Sequence, residues 1–140
     1  MAGAAGHAVW YPCSMSRGGE DAVRVVNRTR GILLGDRVRT ASTFLSRLVG
    51  HLGTAAIAEG EGLWIVPCRS VHTLGMLCPI DVAFLDARGV VVGILEGLPP
   101  NRVGRVFRDA RAALELRAGT LAATGTAPGD RLEFEGGGPA

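Results

Sequence analysis

The chain has 140 residues, enough for one ordinary domain and too few for two. Hydrophobic residues make up 47%, so a core can form without disulfide or metal staples, and no apolar run approaches the ~20 residues a membrane-spanning helix needs. A net charge of +2 demands neither nucleic acid nor a membrane surface as a partner.

Residues 1–21 are rich in Gly, Ala and Ser without periodicity and read as a disordered leader. They lack the basic and apolar regions of a signal peptide, and Met15 is a candidate alternative start. Val23 to Asn27 reads as a strand, and Ile32 to Thr40 as its hairpin partner. The period then changes. Phe44, Leu45, Leu48, Val49 and Leu52 fall at helical spacing between a Ser42 N-cap and Gly53, which predicts one helix over about 42–52.

Leu63 to Val66 and Ile80 to Leu85 read as buried strands, the first ended by Pro67. Asp86-Ala-Arg-Gly89 is a hairpin turn that returns the chain through Val90 to Leu95. Leu98-Pro-Pro-Asn101 opens an extended connection, and Ala112 to Leu116 is a further strand. Thr120 to Thr124 allows at most one helical turn. Pro128-Gly129 fits the centre of a type II turn before a last strand, Arg131 to Glu135, and residues 136–140 read as a disordered tail. The sum is a mainly β, β-rich α+β single domain over 22–135, an antiparallel β-sandwich or barrel-like unit with one helix.

The polar residues within 61–86 need a reason, because a buried polar group without a partner costs roughly 2–7 kcal/mol. Cys68, His72, Met76 and Cys78 are soft ligand types, but their spacing is not that of a zinc site, and the simpler reading is core filling with a backbone-bonded histidine. Neither a metal nor a cofactor is assigned. Cys68, His72 and Asp81 could serve as nucleophile, base and orienter. On an extended segment residues 68 and 72 lie roughly 13 Å apart, so that reading requires a turn at Arg69-Ser70. Asp81 alternatively caps backbone N–H groups of the preceding loop or pairs with Arg69. Glu61 and Asp86 fall at strand ends and read as solvated.

Arg102, Arg105, Arg108 and Arg111 recur every third residue, a candidate basic edge for an anion. Few aromatics accompany them, which disfavours nucleic acid. An odd cysteine count without framework spacing indicates free thiols and a reducing, cytoplasmic setting.

The run from Gly62 to Asp86, with Leu114-Glu-Leu-Arg-Ala-Gly-Thr120 and Gly125-Thr-Ala-Pro-Gly-Asp130, resembles the bacterial and archaeal family known as domain of unknown function 192. The resemblance covers residues 24–135 and implies a compact β-rich sandwich or barrel with no settled activity. Many relatives carry Lys-Asn beside the loop methionine, where this chain reads His72-Thr-Leu-Gly-Met76. No complete catalytic set appears. The reading is therefore a non-enzymatic binding or accessory module that uses the loop 67–79. Arg69, Ser70, His72 and Thr73 are its expected exposed polar groups, flanked by Arg102 and Arg105, with a protein or a small anionic ligand as partner. A Cys68/His72 hydrolase or transferase is the alternative, and a soft-metal protein the third reading.

Overall fold

A computed structural model describes residues 23–41, 57–73 and 76–135 of the chain. The helix expected over about 42–52, the leader and the tail lie outside the described residues. Among the described residues seven strands and one short helix follow in order: β1 (Val23–Asn27), β2 (Ile32–Ala41), β3 (Glu61–Ile65), β4 (Ile80–Leu85), β5 (Val91–Leu98), β6 (Ala112–Arg117), α1 (Thr120–Thr124) and β7 (Leu132–Glu135). They form one sheet, ordered β5-β4-β6-β3-β2-β1-β7, curled into a half-barrel.

The strand-rich, barrel-like architecture is the one the sequence predicts, with one difference in pairing. β2 and β3 run parallel, with Val38 opposite Gly62 and Thr40 opposite Trp64. The long 42–60 connection permits this, since a parallel pair needs a crossover of about a dozen residues or more. The other pairs are antiparallel, as the short connections require for β1–β2 and β4–β5.

Curling brings the two edge strands together at one place. Val91 N–H donates to Asp130 O at 2.8 Å, Gly129 N–H to Val91 O at 2.8 Å, and Leu132 N–H to Gly89 O at 2.9 Å. The turn that makes this contact is the expected one. Gly129 has φ 98° and Asp130 N–H donates back to Ala127 O at 3.1 Å, the geometry Pro-Gly favours.

β4 explains the two-faced core. All six of its residues are buried, so both faces of the sheet are covered there, and apart from Asp81 the strand is apolar. Ala83 and Leu85 face the barrel interior with Val25, Val38, Leu114 and Leu132. Ile80, Val82 and Phe84 face an outer layer with Ile65, Cys68, Val71 and Met76.

Asp81 shares the interior face, opposite Leu116, and is 1% exposed. Its Oδ1 accepts Gly97 N–H at 2.8 Å, and its Oδ2 accepts Gly119 N–H at 3.0 Å and Leu121 N–H at 2.9 Å. The N-cap of α1 is Gly119, which has no side chain to satisfy the first helical N–H groups, and Asp81 does so from a different strand. Leu121, fully buried, is thereby held against the interior core. Asp81 does cap backbone, as the sequence allows, but the N–H groups come from β5 and α1 rather than from the preceding loop.

A second polar knot joins β1 to the last turn. Asn27 Nδ2 donates to Thr126 Oγ1 at 3.0 Å and to Asp130 Oδ2 at 2.9 Å, and Arg30 Nε donates to the same carboxylate oxygen at 2.7 Å. Burial alone would raise the Asp130 carboxyl, but the bonds from Arg30, Asn27 and Ala127 outweigh it and hold it below its ordinary range.

Asp81→Ala leaves three N–H groups without their acceptor; Gly97 and Gly119 are exposed and regain water, whereas the buried N–H of Leu121 costs about 1–3 kcal/mol. The expected loss is at least about 1 kcal/mol in chemical denaturation, and an unchanged midpoint would show that α1 is held by packing alone.

Candidate functional site

The loop after β3 lies over the outer face of the sheet. Cys68, Val71, Met76 and Cys78 turn into the outer core, which leaves the intervening residues to face outward or to bond neighbouring chain. The 98–110 segment runs antiparallel beside this loop. Thr73 N–H donates to Arg102 O at 2.8 Å, Gly104 N–H to Val71 O at 2.9 Å, and Phe107 N–H to Arg69 O at 2.9 Å. Ser70 Oγ adds a bond to Gly104 O at 3.2 Å. The expected flanking of the loop by Arg102 and Arg105 is therefore how the chain is laid out.

Arg69, Arg102 and Arg105 are exposed, and Ser70 and His72 are half-buried. Thr73 is not an exposed group, in correction of the sequence reading. It is fully buried, its hydroxyl donates to Pro99 O at 2.6 Å, and Arg102 N–H donates to that hydroxyl at 2.9 Å. A threonine hydroxyl both donates and accepts, so this one side chain fastens both ends of the turn at Pro99–Arg102 to the loop.

Phe107 anchors the segment from beneath. Its ring stacks on Phe84 with centroids 4.4 Å apart, and the Arg105 guanidinium sits 4.7 Å above it. This depends on Gly93, since a Cβ there would lie 2.1 Å from the Phe107 ring.

The proposed catalytic trio is split by the sheet. Cys68 lies in the outer core, 1% exposed, and its thiol donates to Ser70 O at 3.1 Å. Asp81 is on the interior face. Partial burial lowers the His72 pKa, which favours a neutral imidazole near pH 7. Among the described residues no three His, Cys, Asp or Glu side chains gather in a metal-holding group.

Two buried carboxyl groups escape the sequence reading. Glu61 is 1% exposed rather than solvated; its Oε1 accepts Ala58 N–H at 3.1 Å and its Oε2 lies 3.8 Å from Arg37 Nη1. Glu115, on β6 between Leu63 of β3 and Val82 of β4, is fully buried with both carboxyl oxygens lacking a hydrogen-bond partner. Desolvation by burial holds its carboxyl well above the ordinary glutamate range. Asp86 is also engaged: its Oδ1 accepts Arg88 N–H at 2.8 Å and Val90 N–H at 3.0 Å, and these bonds, Val90's foremost, hold its pKa down.

A family model for domain of unknown function 192, described as an uncharacterized ACR, matches residues 25–134. The chain belongs to this family. It is 29% identical over 116 residues to a UPF0127 protein of Thermococcus sibiricus, covering 79% of this chain and 74% of that one. A crystal structure of a protein of unknown function from Novosphingobium aromaticivorans superposes with a TM-score of 0.68 at 23% identity, covering 79% of this chain and 82% of the other. Another, described as a candidate transcription regulator from Sinorhizobium meliloti, has a TM-score of 0.67 at 27% identity, covering 83% and 98%. They share the fold. The family is uncharacterised, so the chemistry of the outer layer carries the functional argument.

Thr73→Val removes a donor and an acceptor at once while keeping the shape. The amide of Arg102 then exchanges with solvent about ten to a hundred times faster, read by hydrogen-exchange mass spectrometry. An unaltered rate would mean that the backbone bonds alone hold the turn.

For Glu115 the folded-state pKa lies above the unfolded value of about 4.3, so the folded protein binds the extra proton and stability falls as pH rises through and above that value. Glu115→Gln removes this term, so the variant gains on the wild type between pH 5 and pH 8, about these limits, in denaturation midpoints. Parallel curves would place a charge partner at Glu115.

Proposed function

We propose that this protein is a non-enzymatic binding or accessory module whose contact surface is the outer ribbon made by the 67–79 loop and the 98–110 segment. The partner is anionic, a protein or a small ligand. One observation carries the reading. The two segments, with Arg111 directly after the second, carry Arg69, Arg102, Arg105, Arg108 and Arg111 against one carboxylate, Asp109. Among the described residues none of these five arginines forms an ion pair, whereas Arg24, Arg28, Arg30, Arg37 and Arg88 all do. Guanidinium groups left without carboxylates on a rigid support favour an outside anion.

Arg69, Ser70, His72, Arg102 and Arg105 supply the contacts in this reading, and Thr73 positions Arg102. We place the protein in the cytoplasm. Three cysteines without framework spacing suit a reducing compartment, and among the described residues no helix is long and apolar enough to cross a membrane.

The test is recovery of the full chain from its native host beside an Arg102→Glu/Arg105→Glu variant. The wild type retains a partner at low salt and releases it as salt rises toward about 0.5 M, while the variant retains none and keeps its thermal midpoint within about 2 °C. Equal retention by both proteins would remove the basic ribbon from the function.

A further inference from the structure

The ribbon at 101–107 has a bonded edge and an open one. On the bonded edge, Gly104 N–H donates to Val71 O at 2.9 Å and Thr73 N–H to Arg102 O at 2.8 Å. These two bonds flank the antiparallel bridge between His72 and Val103, which makes that bridge a non-hydrogen-bonded pair. The N–H and C=O of Val103 therefore point away from the loop, and neither has a partner among the described residues. Phe107 rather than Val106 donates to Arg69 O, so one extra residue is accommodated there and Arg105 and Val106 also stay off the bonded edge.

The same stretch holds exposed apolar side chains between its arginines. Val103 is 71% exposed and Val106 57%. Both lie on a segment that is fixed from below by Phe107 and drawn close by Gly104, where a Cβ would meet Leu95 Cδ1 at 2.9 Å and Val71 O at 3.2 Å. An open strand edge on a rigid support, with apolar and basic side chains interleaved, is matched by one kind of occupant.

We propose that residues 103–106 accept an extended acidic segment of a partner protein as an added strand. Its backbone pairs with the outward groups at Val103 and Arg105, its apolar side chains cover Val103 and Val106, and its carboxylates meet Arg102, Arg105 and Arg108. This rests on the anionic-partner reading above and narrows it to one chemistry. A small anion would use the guanidinium groups and leave the valines and the open edge unused. A second copy of the chain would set this arginine row against itself, the repulsion that protects exposed edges from self-pairing. Nucleic acid would want stacking rings, and the ring here, Phe107, is already stacked on Phe84 and covered by Arg105. Four residues at about 3.3 Å each give an edge of roughly 13 Å, which suits a transient contact.

The experiment is fluorescence anisotropy on the full chain with a short labelled peptide of alternating Glu and Val. Four companions accompany it: a Lys/Val peptide, two Glu/Val peptides N-methylated on one or the other set of alternate amides, and tripolyphosphate as competitor. The Glu/Val peptide binds, and the Lys/Val peptide and at least one N-methylated form bind about tenfold more weakly or worse. Arg102→Glu/Arg105→Glu weakens the Glu/Val peptide by a similar factor. Equal binding of both N-methylated peptides overturns strand addition. Failure of the peptide while tripolyphosphate binds overturns this inference and leaves the anionic-partner reading standing. Failure of every anion overturns both.

Discussion

The Asp81 carboxylate is the interaction on which the rest of the structure depends. It sits on β4, a strand buried on both faces, where an uncompensated charge would be too costly to keep. Three backbone N–H groups compensate it, one from β5 and two from the approach to α1. The first N–H groups of any helix lack intrahelical acceptors, and the Gly119 N-cap has no side chain to supply one. One side chain thus fixes where β5 ends, where α1 begins and where Leu121 enters the core.

With the interior closed in this way, the outer face of the same strands is free to carry something else. β4 is the hinge of this division, since alternate residues of a single strand feed the two cores. Among the described residues, two loop segments roof the outer core. Their irregular backbone is satisfied by each other and by Ser70 and Thr73, as buried loop groups must be. A surface built this way is held by its own backbone bonds, and it carries exposed side chains. The arginines are there.

The outer layer also holds a group that works against it. Glu115 sits among apolar residues without a hydrogen bond, two strands from any edge of the sheet. Leu114-Glu-Leu116 has the alternation of a strand with one wet face, and by that pattern the glutamate is solvated. The pattern misleads because period-two alternation reports which side a residue is on and not whether that side is roofed. Glu61 is misread for the same reason, and Thr73 because an isolated polar residue in a loop has the same sequence signature whether it faces water or staples a turn.

The sequence by itself determined the local structure and the family. Strand positions, the Asp86 and Pro128-Gly129 turns and the one-turn α1 follow from side-chain period and from what Gly and Pro permit in φ, which are short-range effects. Only the tertiary structure decided the parallel β2–β3 pair, the closure at Val90 and Arg131, and the opposite placement of Cys68 and Asp81. It alone laid the 98–110 segment along the loop. These depend on which distant segment covers a given face, and backbone hydrogen bonding, being the same at every residue, writes no trace of its partner into the sequence.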